Sequence, residues 1–177
     1  MNVCFIIGGV PGSGKSTIAR IIAQSAPFSG IFIGGEGRFW VENSVVYYGY
    51  YSEHLDDDDD NDIEPEICAA IHSTDEYFIK EGEYKYNLSK LGIYHNANYK
   101  AFRKSLLDGI PIVICDNTNT TRKEWGKYAR EAEEAGYIVA HVTLPHPDPK
   151  EAAKRNTHGV SEEHIKKMIA RWQDARQ

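Results

Sequence analysis

The sequence predicts an α/β fold, a parallel sheet with helices on both faces, and three observations carry that expectation. Short apolar runs at 3–7, 69–73, 112–115 and 137–143 alternate with stretches of helical periodicity. Strands joined through helix-length connections pair in parallel with right-handed crossovers, which leaves both faces of the sheet covered. The 177 residues, 41% of them hydrophobic, suffice for one α/β domain with its own core and are too few for two of ordinary size. A single domain over 1–177 is therefore expected, with an inserted segment at about 27–67.

The first strand, Val3-Cys4-Phe5-Ile6-Ile7, leads into Gly9-Val10-Pro11-Gly12-Ser13-Gly14-Lys15-Ser16, which matches G-x-x-x-x-G-K-[ST] in full. Ile18, Ala19, Ile21 and Ile22 then recur at helical spacing, so the loop opens onto a helix N-terminus. Unpaired backbone N–H groups and the positive end of the helix dipole favour a polyphosphate there, and glycines let the backbone approach it. This is a P-loop, and ATP or another nucleoside triphosphate is its expected ligand. Gly9, Pro11, Gly12, Ser13, Gly14, Lys15, Ser16 and Thr17 form the candidate cofactor-binding set. Lys15 is expected to reach the β- and γ-phosphates, and the Ser16 hydroxyl is the expected Mg²⁺ ligand.

From Pro27 to Ile67 the pattern is irregular. Phe39-Trp40-Val41 and Val45-Val46-Tyr47-Tyr48 read as two strands of a hairpin around Glu42-Asn43-Ser44, followed by an acid run read as a solvated loop. The next apolar strand, Ala69 to Ser73, ends on Thr74-Asp75-Glu76, on the side where open α/β sheets bind ligands. A tyrosine-rich, loop-like stretch reaches from Tyr77 to about Asn96. Tyr99, Phe102, Leu106 and Leu107 then mark an amphipathic helix with Lys100, Arg103 and Lys104 opposite, stopped by Gly109. The strand Ile112 to Cys115 ends on Asp116-Asn117-Thr118-Asn119, and Thr121 with Glu124 spells a capping box before a Trp125, Tyr128, Ala129, Ala132 stripe. A fourth strand runs from Tyr137 to Thr143. Asp148 caps a short helix with Pro149 at its first position, and Arg155 falls near its end. Ser161 caps the last helix, whose Ile165, Met168, Ile169, Trp172 stripe is expected to dock on the core.

The formal charge of −6 is unevenly placed. Nine acids and no Lys or Arg lie between Glu53 and Glu66; taking them from the 26 leaves 17 against 20 basic residues, so net charge does not exclude a polyanionic substrate. The apolar start stops at Gly8 without a basic region before it, which argues against a signal peptide or a membrane span and for a cytoplasmic or nuclear protein. Cys4, Cys68 and Cys115 are far apart and read as small core hydrophobes in a reducing compartment. No obligate protein partner is evident.

The strand ends narrow the use of the nucleotide. No N-K-x-D reads a guanine base, and the 112–115 strand closes on Asp116-Asn117 instead of the Asp-Glu with which AAA+ and ABC-type ATPases polarise water. A phosphotransferase needs a carboxylate to accept the acceptor hydroxyl's proton and arginines to stabilise the transferring phosphoryl. Asp75 is the first candidate for the base and Asp116 its competitor, both at the carboxyl ends of strands expected to flank the P-loop strand. Arg155, and after it Lys154, are candidates for a lid over the phosphates.

The P-loop, Ser73-Thr74-Asp75-Glu76-Tyr77-Phe78, Asp116-Asn117-Thr118-Asn119 and Lys154-Arg155-Asn156-Thr157-His158-Gly159-Val160 together resemble the polynucleotide 5′-hydroxyl kinase family, in its Nedd4-binding protein 2-like form and, more distantly, the kinase half of the bacteriophage enzyme. The resemblance implies that Lys15 and Ser16 hold phosphates and Mg²⁺, Asp75 is the base, Arg155 contacts the donor phosphates, and Asp116 organises the acceptor site. Thr118, Asn119 and Lys80 are further acceptor-side candidates, Lys80 or Lys85 standing where bacteriophage enzymes carry an arginine. The hairpin and acid run depart from the family's short connection, and 177 residues leave no room for the phosphatase half of bifunctional relatives. The acceptor implied is a 5′-OH end of RNA or DNA, with Tyr77, Tyr84, Tyr86, Tyr94 and Tyr99 available to stack a base. Two alternatives stand: a kinase of a small metabolite, nucleoside or hydroxymethylated base, and an ATP-binding adaptor without transfer activity.

Overall fold

A computed structural model describes residues 2–25, 38–42, 44–49 and 66–173. Over them the chain forms β1 (Val3–Gly8), α1 (Lys15–Ser25), the hairpin β2 (Arg38–Glu42) and β3 (Val45–Gly49), and β4 (Glu66–His72). A 3-10 turn (Thr74–Phe78), a two-residue-stranded hairpin of β5 (Ile79–Lys80) and β6 (Glu83–Tyr84), and a second 3-10 turn (Leu88–Lys90) lead to α2 (Leu91–Leu107). Then come β7 (Ile112–Asp116), α3 (Arg122–Glu134), β8 (Ile138–Thr143), α4 (Pro149–Arg155) and α5 (Glu162–Ala170). The acid run lies outside the described residues, apart from Glu66 at the start of β4. Among the described residues no helix is long and apolar enough to cross a membrane.

The main sheet has the order β2-β3-β4-β7-β1-β8. β4, β7, β1 and β8 pair in parallel, and β2 and β3 extend the sheet antiparallel beyond β4. The expected hairpin is thus a continuation of the sheet. The order also corrects one expectation: β7 flanks β1 directly, with Ile7 opposite Asp116, whereas β4 lies one strand further out. Asp75 therefore approaches the P-loop across the end of β7.

The period-two alternation of the strands explains the two cores. Cys4, Ile6, Val113 and Cys115 point to one face, where Phe102 and Leu106 of α2 and Tyr128 and Ala132 of α3 cover them. Ile7, Ile112 and Ile114 point to the other and meet Ala19 and Ala23 of α1. Full burial of an aliphatic side chain such as Ile7 or Ile114 is worth about 1.5–3 kcal/mol. Every residue of β7 is buried, as suits the strand with neighbours on all four sides, while β8 at the sheet's edge leaves Ile138 exposed. Ile21 is half exposed on the outer face of α1, outside the stripe its spacing suggested. All three cysteines are free and buried; burial raises the Cys115 pKa to about 12, so its thiol is inert.

α2 starts at Leu91, earlier than the loop-like reading to Asn96 allowed, because the inward face of its first turns carries Leu91, Tyr94 and the buried polar Asn98 in place of an unbroken apolar stripe. The capping box on α3 is present: the Glu124 carboxylate accepts the Thr121 N–H at 3.3 Å and the Thr120 N–H at 2.7 Å. Asp148 and Ser161 cap α4 and α5 through their side chains. Those helices share a third cluster of Val10, Ala152 and Ile165, with Met168, Ile169 and Trp172 packed on it, which docks them onto the P-loop.

Candidate active site

The P-loop is held at three points. Val10, with no exposed surface, is buried against α4 and α5, and the Gly9 N–H donates to the Thr118 carbonyl at 3.1 Å. Gly12 has φ +79° and sits so close to α4 that a Cβ there would lie 2.3 Å from the Ala152 carbonyl oxygen; both conformation and space require glycine. Gly14 has φ +96° with open space around it, as a backbone that receives a ligand requires. Pro11 is buried, Ser13 closes the turn by donating its N–H to Val10, and Thr17 and Ile18 donate theirs to Gly14, which begins α1.

Lys15 opens α1 with its ammonium folded back to the Val10 carbonyl, 3.4 Å away. Burial pushes its pKa down, while Asp116 and then Asp75 pull it up. The P-loop lysine and the carboxylates that follow β4 and end β7 therefore lie within electrostatic reach of one another. Asp116 is 4% exposed, and burial raises its pKa against the opposing pull of Lys15, Ser16 and Arg20. Its Oδ1 is buried without a hydrogen-bond partner. An orphaned carboxylate oxygen beside the Ser16 hydroxyl and the Lys15 ammonium suits a hydrated divalent cation, which Ser16 would ligate directly and Asp116 through water.

Asp75 lies in the 3-10 turn after β4 with half of its side chain exposed. The Tyr84 hydroxyl donates to its Oδ1 at 3.3 Å, and His158 Nε2 faces its Oδ2 at 3.6 Å. The Thr74 N–H donates to Asn117 Oδ1 at 3.0 Å, which ties the turn that carries Asp75 to the end of β7, where Asp116 sits. Next to it, Ser44 at the start of β3 hydrogen-bonds the Glu76 carboxylate, whose pKa burial raises. A groove of about 390 Å³ opens beside Glu76 and Tyr77 between β4 and α2, lined also by His72, Ser73 and Ser105.

Arg155 is the last residue of α4, exposed, with its Nε 3.4 Å from the Glu151 carbonyl; one turn earlier in the same helix Ala152 touches Gly12. Lys154 pairs instead with Glu151 at 2.9 Å. Lys80 is exposed on β5. Thr118 meets the P-loop through its carbonyl. Asn119, an acceptor-side candidate from sequence, is 4% exposed at φ +48°, and its Nδ2 donates to the Ile7 carbonyl at 2.8 Å. Its side chain fastens β7 to β1 from inside. Of the tyrosines, Tyr99 donates to Glu131 at 2.6 Å and packs edge-on against Tyr128, while Tyr77 and Tyr94 stack on one another. Arg103 and Lys104 are paired with Glu131 and Asp108.

Near the site, Arg20 carried no assignment from sequence, Tyr84 was named only as a base-stacking candidate, and His158 only as part of the 154–160 motif. Arg20 acts on both Asp116 and Glu76 from α1, at i+4 from Ser16 and so on the helix face that the loop presents. Tyr84 and His158 reach Asp75 from segments 9 and 83 residues away, and only the chain's tertiary path reveals them.

A protein-family model described as an AAA domain matches residues 4–175. The chain belongs to that family. Membership gives the nucleotide-binding domain; β7 still ends on Asp116-Asn117 and lacks the Asp-Glu pair of a water-activating ATPase. The chain is 28% identical to NEDD4-binding protein 2 of Homo sapiens over 97% of its own length and 8% of that protein. It is 25% identical to YLP motif-containing protein 1 of Rattus norvegicus over 98% of its length and 11% of that protein. It thus spans a small fraction of these relatives. A chain in the solved structure of the Pnkp1/Rnl/Hen1 RNA repair complex superposes with a TM-score of 0.57 at 17% identity, covering 97% of this chain and 44% of that one, which shows a shared fold. The matches run across the chain, and the domain is a P-loop nucleotide-binding domain of that family.

Proposed function

We propose that the domain is an ATP-dependent phosphotransferase that moves the γ-phosphoryl to a hydroxyl, with the 5′-OH end of a polynucleotide as acceptor. The observation that carries this is the hydrogen bond from the Thr74 N–H to Asn117 Oδ1, which joins the turn bearing Asp75 to the end of β7 bearing Asp116, the strand paired with the one that leads into the P-loop, with Lys15 within electrostatic reach of both carboxylates. The P-loop N–H groups and Lys15 hold the polyphosphate, and Arg155 at the end of α4 is placed to lie over it. The acceptor oxygen forms a bond to the γ-phosphorus as the bond to the bridging β–γ oxygen breaks; Asp75 takes the acceptor's proton, and ADP leaves. Mg²⁺ held through Ser16 would neutralise phosphate charge. Positioning and electrostatics dominate such transfers, so the rigid seat of the loop matters more than covalent chemistry. The groove beside Glu76 and Tyr77 gives an acceptor room to enter.

A second reading, a small hydroxylated acceptor such as a nucleoside or hydroxymethylated base, is favoured by one observation. Arg103 and Lys104, two of the three cations that would track a polynucleotide on α2, are engaged with Glu131 and Asp108.

The deciding experiment incubates the protein with radiolabelled ATP and Mg²⁺ against 5′-OH oligonucleotides, nucleosides and modified-base DNA. Label at the oligonucleotide 5′ end supports the first reading, and label on a nucleoside or base the second. Binding without transfer to any acceptor overturns both and leaves a nucleotide-binding adaptor. Asp75→Ala is expected to lower kcat by about two orders of magnitude with ATP affinity kept.

A further inference from the structure

Asp75 is an exposed carboxylate, and an exposed carboxylate on a short 3-10 turn has nothing in its own segment to fix its rotamer. Two side chains from elsewhere do so. Tyr84, on the short hairpin strand β6, donates its hydroxyl to Oδ1 at 3.3 Å. His158, on the turn between α4 and α5, presents Nε2 to Oδ2 at 3.6 Å. The two rings lie against each other with centroids 4.1 Å apart, so each braces the other while both face the same carboxylate.

The His158 ring has no competing polar engagement among the described residues, since its Nδ1 is buried without a hydrogen-bond partner. The turn that carries it is built to hold it. Asn156 donates Nδ2 to the carbonyls of Ala153 (2.7 Å) and Val160 (3.0 Å) and accepts the Val160 N–H at 2.8 Å, and Gly159 takes φ +68°. The same turn follows directly on Arg155, and α4 rests on Gly12 of the P-loop.

We infer that His158 and Tyr84 are positioning residues for Asp75, holding one carboxylate oxygen each, and that His158 couples the orientation of the proton acceptor to the seating of the α4–α5 segment on the nucleotide loop. This rests on the reading of Asp75 as the base. A carboxylate hydrogen-bonded at one oxygen and faced by an imidazole at the other samples fewer rotamers than a free one, which is correctly aimed at the acceptor hydroxyl only part of the time. With α4 seated on Gly12, Arg155 and His158 belong to one packed segment, so the contact that places one also places the other.

The test measures kcat, KM for the labelled acceptor and ATP affinity for His158→Ala, His158→Gln, Tyr84→Phe and Asp75→Ala side by side, using whichever acceptor of the panel takes label. His158→Ala is expected to lower kcat about tenfold with ATP affinity within about twofold, a split that simple loosening of the fold would not give. His158→Gln, which offers an N–H at similar reach, is expected to recover to within about threefold of wild type. Tyr84→Phe keeps the ring stack and removes only the hydroxyl; it is expected to lower kcat about three- to tenfold. In an Asp75→Ala background neither change lowers the residual rate further, because the group they position is gone. Wild-type kcat in both His158→Ala and Tyr84→Phe, with Asp75→Ala inert, overturns the inference and leaves the function standing. Near-wild-type turnover in Asp75→Ala, or no labelled acceptor at all, overturns the function and the inference with it. If His158→Ala fails to fold, Tyr84→Phe decides alone.

Discussion

The two sides of the crevice are built differently. The donor side is one contiguous stretch, Gly9 to Thr17, wedged between β1 and α1, anchored by buried Val10 and pressed against α4 at Gly12. The side proposed for the acceptor is assembled from the turn after β4, hairpin strand β6, the end of β7 and the α4–α5 turn, joined by side-chain contacts to Asp75 and Asn117. Rigid backbone suits a ligand as invariant as a triphosphate. Convergent side chains on short turns can be re-aimed, and they suit a part of the site whose acceptor distinguishes one enzyme from another.

The comparison breaks first at Lys15. Lys15→Ala should lower turnover by about a hundredfold or more. Because burial already works against the Lys15 charge, the melting temperature of the nucleotide-free protein should stay unchanged or rise, as a thermal scan would show. Gly12→Ala tests the rigid donor side in the opposite sense. With φ +79° and a Cβ 2.3 Å from the Ala152 oxygen, it should push α4 away and lower ATP affinity by at least about tenfold, together with about 2–3 kcal/mol of stability. Wild-type affinity in an ATP titration would show that α4 does not need its close seat.

Asn119→Ala sharpens the line between site and scaffold. It strips the hydrogen bond from the Ile7 carbonyl and should cost about 1–3 kcal/mol in urea denaturation, with kcat per folded molecule unchanged. A drop in kcat at full stability would return Asn119 to the acceptor site. His72, on the groove's wall beside Ser105 and near Glu76 and Asp108, gives a pH signature. Burial lowers its pKa from 6.5 to about 4. Above the unfolded value both states are neutral and nothing is gained or lost. As pH falls below it the unfolded chain binds the proton first, so stability declines until the folded pKa is passed, by about 3 kcal/mol at most. Urea midpoints should fall between neutral pH and about pH 5, and His72→Gln should flatten that part of the decline. The smallest effect is expected at exposed Lys80, where Ala should change acceptor KM by no more than about threefold.

Much of the fold was legible because its signals are local. Apolar runs, the P-loop, the Thr121–Glu124 capping box, Asp148 with Pro149, and Ser161 all act within a few residues, and each appears where its pattern says. The start of α2 was less legible, since tyrosines and asparagines at its first turns blur the apolar stripe. The strand order was not legible at all: period-two patterns say which residues are buried but not which strand lies next to which, so β4 could be read as a neighbour of β1 when β7 stands between them. Asn119 shows the same limit at one residue, because a polar side chain at a strand end has no sequence mark for whether it turns inward to the Ile7 carbonyl or outward to a ligand.

The phosphate-binding loop was legible from the sequence alone, because such a cradle is made of backbone N–H groups and glycine conformations that eight consecutive residues specify. Only the tertiary structure could bring Tyr84 and His158 to Asp75, since contacts between side chains 9 and 83 residues apart are set by the packing of α4 on Gly12 and of the hairpin on its turn. Local steric and hydrogen-bonding rules act along the chain, whereas the aim of an exposed carboxylate depends on what the folded chain places around it.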